Sequence, residues 1–165
     1  MTLYQETPLS PAVQLFWSRF LAMSEIPAEM ETRFHETYSI GDSSQSADIG
    51  ANLILTSEKT ATSSLLWEYE AENSKLPAVG DLNIVLDGNN EPVCVVETTW
   101  IVVQAMSQAD ARFAQDYGEW DGTLQTWREK LWHYYCDQCR TLHRQPSPDL
   151  PLVFERFKVI FPEAT

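Results

Sequence analysis

Between Thr56 and Ser64 the chain reads Thr-Ser-Glu-Lys-Thr-Ala-Thr-Ser-Ser, six hydroxyl side chains and one lysine in nine residues. An ammonium in a pocket lowers the cost of a nearby anion. A hydroxyl becomes a nucleophile when a neighbour takes its proton. Lys59 exposed among these hydroxyl groups could therefore serve nucleophilic chemistry. The same residues also make an ordinary polar strand with a snorkelling lysine, the simpler reading of the spacing alone. The glycines of the phosphate-cradling pattern G-x-x-x-x-G-K-[ST] are missing, so that kind of loop is excluded.

A second candidate is the run Asp116 to Gly122, which sets Asp116, Glu119 and Asp121 among Tyr117 and Trp120. Aromatic neighbours desolvate a carboxyl and raise its pKa, which suits a general acid or base. They also offer a nucleobase a stacking face. Read alone, the run is a solvated acidic loop. Arg128, beside Trp127, is a candidate ligand for phosphate or carboxylate, or a partner in a surface ion pair. His133, Cys136, Cys139 and His143 are spaced like metal ligands. All four fall in one expected helix, where ten residues span about 15 Å, too far for one tetrahedral ion. A four-ligand zinc is not expected, and Cys136 and Cys139 read as small packing residues.

These groups need elements to position them. Ser10-Pro11 caps a helix over 11–23, with Val13, Phe16, Trp17, Phe20 and Leu21 at helical spacing. A short second helix is expected near 28–36, a turn at Gly41–Ser44, and an amphipathic helix from Ala47 to Leu55. Strands are expected at Leu82–Leu86 and Val93–Val103, joined by the hairpin turn Asp87–Asn90. Ser107–Gln115 reads as helical. Thr123 caps a long helix to about His143, and Leu152–Phe161 closes the chain as a strand. Strands and helices do not alternate regularly. The order predicts an α+β domain around a small, mostly antiparallel β-barrel with flanking helices.

Charge limits the partners. Of 165 residues, 24 are acidic and 11 basic, a formal net charge of −13. Residues 1–111 hold four Lys/Arg and 16 Asp/Glu, whereas 112–165 hold seven and eight. Such a chain repels a phosphate polymer at long range, so weak non-specific nucleic-acid binding is the most that is expected. No apolar run approaches the ~20 residues that span a bilayer, so no membrane partner is expected. The N-terminus lacks a basic n-region, and three cysteines suit a reducing compartment, so a cytoplasmic location is expected.

Four segments together resemble the ASCH domains, a PUA-like family. They are Ile40–Ser64, Val79–Thr99, Gly118–Glu129 and Leu150–Pro162. They are similar, respectively, to the family's Gly-Asp-Ser and G-K/R-K-T-A-T motifs with the apolar helix between, its central strand pair, its Gly-Glu loop with a Trp-Arg helix, and its closing strand. The resemblance spans roughly 34–162. It implies a PUA-like barrel over 34–165, with residues 1–33 as a helical extension packed upon it. Ser57-Glu58 stands where the family usually has glycine and a basic residue, Ile40 where it has an aromatic, and Leu131 where many relatives carry histidine.

The resemblance implies a cleft that binds a nucleoside, nucleotide or RNA element. Some compact relatives deacylate N4-acetylcytidine with a lysine, a threonine and a glutamate, which match Lys59, Thr62 and Glu119 here. As an amidohydrolase the protein would use Thr62 as nucleophile, Lys59 as activator and oxyanion stabiliser, and Glu119 as general acid/base, without a cofactor. Ser63, Ser64, Tyr117, Trp120 and Arg128 would contact the ligand. As a non-catalytic RNA-binding module it would hold phosphate on Lys59 and Arg128 and stack a base on Trp120 or Tyr117. As a metal-assisted ribonuclease it would need a divalent ion near Asp116, Glu119 and Asp121.

Overall fold

The computed structural model describes residues 8–162. The elements run α1 (Pro11–Met23), α2 (Pro27–Thr32), β1 (Phe34–Tyr38), α3 (Ser44–Leu55), β2 (Ala61–Leu65), α4 (Leu66–Glu72), β3 (Leu82–Leu86), β4 (Pro92–Ala105), α5 (Ala111–Tyr117), α6 (Leu124–Thr141) and β5 (Pro151–Phe161). A short 3-10 turn at Met106–Gln108 precedes α5. Helix starts are fixed by side-chain caps that satisfy otherwise orphaned amides. Ser10 accepts from the Val13 amide, Asp110 from Phe113 and Thr123 from Thr126. Ser43 and Ser46 cap α3 reciprocally.

The strands form one sheet in the order β1-β3-β4-β5-β2. β1 runs parallel to β3, and the other three ladders are antiparallel. The α+β class holds, but among the described residues the ladders trace an open sheet rather than a closed barrel. No ladder joins β1 to β2. The expected helix near 28–36 is replaced by the short α2 followed by β1. Leu66–Glu72, left unassigned by periodicity, forms α4.

The sheet is covered on both faces because its apolar residues alternate. Leu82, Ile84 and Val95 pack against Val13, Trp17 and Phe20 of α1. Val85, Cys94 and Val96 point the other way, onto Ala51 and Ile54 of α3. Gly50 permits that contact, since a Cβ there would stand 2.3 Å from the Ile40 Cβ. The largest cluster lies between the β2–β5 end and α5–α6. There Ala61, Leu65, Leu152 and Phe154 meet Phe113, Trp127, Leu131 and Tyr135. Burying a large side chain such as Phe154 stabilises the fold by about 2–3 kcal/mol. No described helix is long and apolar enough to cross a membrane.

Candidate functional site

The loop between α5 and α6 is locked onto the segment that leads into β2. The Thr60 amide donates to the Asp116 carbonyl at 2.8 Å. Two residues on, Gly118 takes φ +71° and presses on the neighbouring chain. A Cβ there would stand 2.1 Å from the Glu58 carbonyl oxygen and 2.7 Å from the Lys59 Cα. Glycine meets both demands, the left-handed backbone and the close approach. The turn then delivers Glu119 to Lys59.

Lys59 has 0% exposure. Its Nζ lies 2.9 Å from Glu119 Oε2, donates to the Tyr117 carbonyl at 3.1 Å, and sits 3.2 Å from the centre of the Tyr117 ring. The exposed lysine expected among hydroxyls is therefore sealed beneath the surface, because the 116–122 loop folds over it. Burial pulls its ammonium down to about 8, while the Glu119 carboxylate pushes the other way. Such a pair is costly to desolvate and strongly destabilising to break. Burial also raises the Tyr117 phenol well above its ordinary range, Glu119 adds to this, and hydrogen bonding to Thr62 and Ser63 opposes it.

Glu119, with 16% side-chain exposure, opens onto a cavity of about 350 Å³. One wall is Thr62, Ser63 and Ser64 from β2 with Tyr117, Trp120 and Glu119; the opposite wall includes Glu36 and Tyr38 from β1, and Glu155 of β5 lies between them. Both edge strands thus face one space, so the sheet curls toward closure and stops with the cavity in the gap. Trp120 is 47% exposed at φ +58° and stacks on Tyr117, with ring centres 5.9 Å apart. Ser63 shares a 2.7 Å hydrogen bond with Tyr135, and Ser64 a 2.9 Å one with Tyr69.

The structure thus brings Lys59, Thr62, Glu119, Ser63, Ser64, Tyr117 and Trp120 to one place. Among the described residues the partners of Lys59 Nζ are Glu119 and the Tyr117 carbonyl, and the Thr62 hydroxyl is not one of them. Arg128 lies elsewhere. Its guanidinium donates to the Ser107 and Ala109 carbonyls at 3.3 and 3.2 Å, outside the cavity. Trp127 faces the core, so its neighbour must project about 100° away around the helix. Lys130, Leu131 and Tyr134 of α6 line the cavity instead.

The acidic loop does not fit a divalent ion. Asp116 is bound by Arg112 and Arg156, Asp121 accepts from Thr123 and Thr126, and Glu119 holds Lys59. No three described His, Cys, Asp or Glu side chains stand close enough to share a metal. In the helical His/Cys string, Cys139 is buried in the main core cluster.

Sequence reasoning missed the rest of the lining. Glu36, Tyr38, Tyr69 and Glu155 were not singled out, yet all line the cavity. Glu155 is 8% exposed and accepts from the buried Thr98 hydroxyl at 2.6 Å. The available signal was one carboxylate inside the apolar closing strand Leu-Val-Phe-Glu-Arg-Phe.

The chain matches the model of the ASCH domain over residues 36–161. Two solved structures are similar. The crystal structure of an ASCH domain from Lactobacillus crispatus JV V101 has 30% identity and a TM-score of 0.85, covering 96% of this chain and 98% of that one. A protein from Enterococcus faecalis V583 has 29% identity and a TM-score of 0.78, covering 90% and 88%. No curated protein matches the chain.

Proposed function

Because this chain belongs to the ASCH domain family, with its PUA-like fold, we propose that its cavity binds a nucleoside-sized ligand and hydrolyses an N-acyl group from it. What carries the reading is the Lys59–Glu119 pair at 2.9 Å, whose carboxylate lines the cavity together with Thr62. A buried ion pair costs stability, and charged groups perturbed by burial in a cleft cluster at functional sites.

In this reading Thr62 Oγ1 attacks the acyl carbon and its proton passes to Glu119. The Lys59 ammonium, held behind the lining, keeps Glu119 oriented for these transfers. Glu119 then protonates the leaving amine as the carbon–nitrogen bond breaks, leaving an ester on Thr62. Water attacks that ester, gives its proton to Glu119, and the hydroxyl is restored as the carboxylic acid departs. Net, one N-acyl nucleoside and one water give one amine and one acid. Trp120 supplies a stacking face at the mouth.

The exposed Trp120 face also suits a module that binds without turnover. The test is incubation of wild type, Lys59→Met and Glu119→Gln with a panel of N-acylated nucleosides and short RNAs, following release of the free acid. Release by wild type and its loss in both variants supports the hydrolase. Ligand binding without release, unchanged in either variant, leaves the binding module.

A further inference from the structure

Glu155, beside Thr62 across the β2–β5 ladder, and Tyr38 of β1 are polar residues of the cavity that the proposed chemistry does not use. Glu155 is more than nine-tenths buried, and its Oε1 is fixed by the Thr98 hydroxyl. Thr98 is itself fully buried and lies 3.5 Å from the Asn83 amide, so the carboxylate is held from inside the sheet. No described donor bonds the other oxygen, and the residue lines the cavity. Tyr38 lines it too, and its hydroxyl is buried with no hydrogen-bond partner. An unmet buried hydroxyl costs about 1–3 kcal/mol, so an orphan on a residue that lines a cavity points to a missing partner.

Charge narrows that partner. Glu119 and Lys59 offset one another, which leaves Glu36, Asp42 and Glu155 of the lining against the single ammonium of Lys130. A phosphate placed there would face carboxylates across a partly dry space. An N–H group would find an acceptor. Tyr38, in the same lining, supplies a donor hydroxyl, and among charged groups Glu155 acts most strongly on that phenol.

We propose that Glu155 and Tyr38 form a recognition wall that reads a paired donor–acceptor edge of an uncharged or cationic nitrogen ligand, such as the amino edge of a pyrimidine nucleoside, and that the surrounding carboxylates exclude its phosphorylated form. This rests on reading the cavity as a ligand site, but not on turnover. Burial and Glu155 both raise the Glu36 carboxyl, so the wall carries less negative charge near neutral pH than its composition suggests.

The experiment is calorimetric titration of cytidine, cytidine 5′-monophosphate and benzamidine into wild type, Glu155→Gln, Tyr38→Phe and the off-site control Arg128→Ala. Thermal melts check folding. The expected result is cytidine binding to wild type and control, weakened at least ~10-fold by a 5′-phosphate and by Glu155→Gln, with Tyr38→Phe also weaker. Benzamidine binding that depends on Glu155, with no cytidine binding, would keep the carboxylate wall and overturn the nucleoside reading. Equal cytidine affinity in wild type and Glu155→Gln, equal affinity for nucleoside and monophosphate, or no binding of either cytidine or benzamidine would overturn the wall. N-acyl nucleoside turnover persisting in any of those cases would leave the proposed hydrolase standing. Should Glu155→Gln fail to fold, loss of cytidine affinity in Tyr38→Phe decides for the wall, and unchanged affinity decides against it.

Discussion

Thr62 on β2 and Glu155 on β5 are direct cross-strand partners. Opposed side chains on one face stand about 4.5–5.5 Å apart at Cβ. The proposed nucleophile and the proposed recognition carboxylate are therefore set by backbone register, independent of any loop. Thr62→Val keeps the β-branched shape and removes the hydroxyl. Turnover should fall by at least ~100-fold, because covalent catalysis loses its nucleophile. Cytidine affinity should change less than ~3-fold, because the hydroxyl's role is in the chemical step. Kinetics and calorimetry on one preparation check both.

Removing one member of the buried pair should cost far more than removing both. Lys59→Met alone should destabilise by about 3–5 kcal/mol, the usual penalty for stranding a buried partner, reduced to the extent that the cavity wets Glu119. The double variant Lys59→Met/Glu119→Gln should recover most of that loss or exceed wild type. Urea unfolding with a double-mutant cycle measures the coupling, and the double variant should be inactive.

The depressed Lys59 pKa gives a signed pH dependence. The folded ammonium loses its proton at about 8, whereas the unfolded one holds it to about 10.5. Between these values the unfolded state binds more protons, so this residue's contribution to stability rises with pH. It is fully present above 10.5 and lost as pH falls through about 8. The stability difference between wild type and Lys59→Met, which cancels other titrations, should shift in favour of wild type from pH 8 to 10. Turnover should move the other way, falling above about 8 as the ammonium disappears. A pH-stability series and a pH–rate profile check the two signs.

Gly118→Ala tests the lock that sets Glu119. The new Cβ meets the Glu58 carbonyl at 2.1 Å and the backbone stands at φ +71°. Strain of this kind costs about 1–3 kcal/mol. A lower melting temperature is expected, with a larger proportional loss in turnover than Gly122→Ala, which shares the left-handed strain at φ +73° but whose Cβ would meet nothing within 4 Å.

The sequence made one wall of the cavity legible and hid the other. Lys59, Thr62 and Glu119 fall in two compact motifs whose residue types announce chemistry. Glu155 and Tyr38 sit singly in strands, where their meaning depends on what lies across the sheet. β1 was unreadable for a related reason. Phe-His-Glu-Thr-Tyr has weak alternation, and its ladder among the described residues is a parallel one to β3, whose paired residues lie about 47 positions on. Helices with capped starts, such as α1 and α6, needed only local signals. The barrel expectation failed where local signals end, since closure depends on total curl. The burial of Lys59 likewise depends on a loop nearly 60 residues on.

The gap between β1 and β2 makes the binding space a sprung jaw. Its lips belong to opposite margins of the sheet, and among the described residues the ladder route between them crosses β3, β4 and β5. Any change in the separation of Tyr38 and Thr62 must be absorbed as a small twist at each of the four ladders along that route. A ligand that grips both lips would damp the twist of the whole sheet. Its arrival should therefore be felt in slower hydrogen exchange at the middle of β4, a strand that lends no side chain to the cavity.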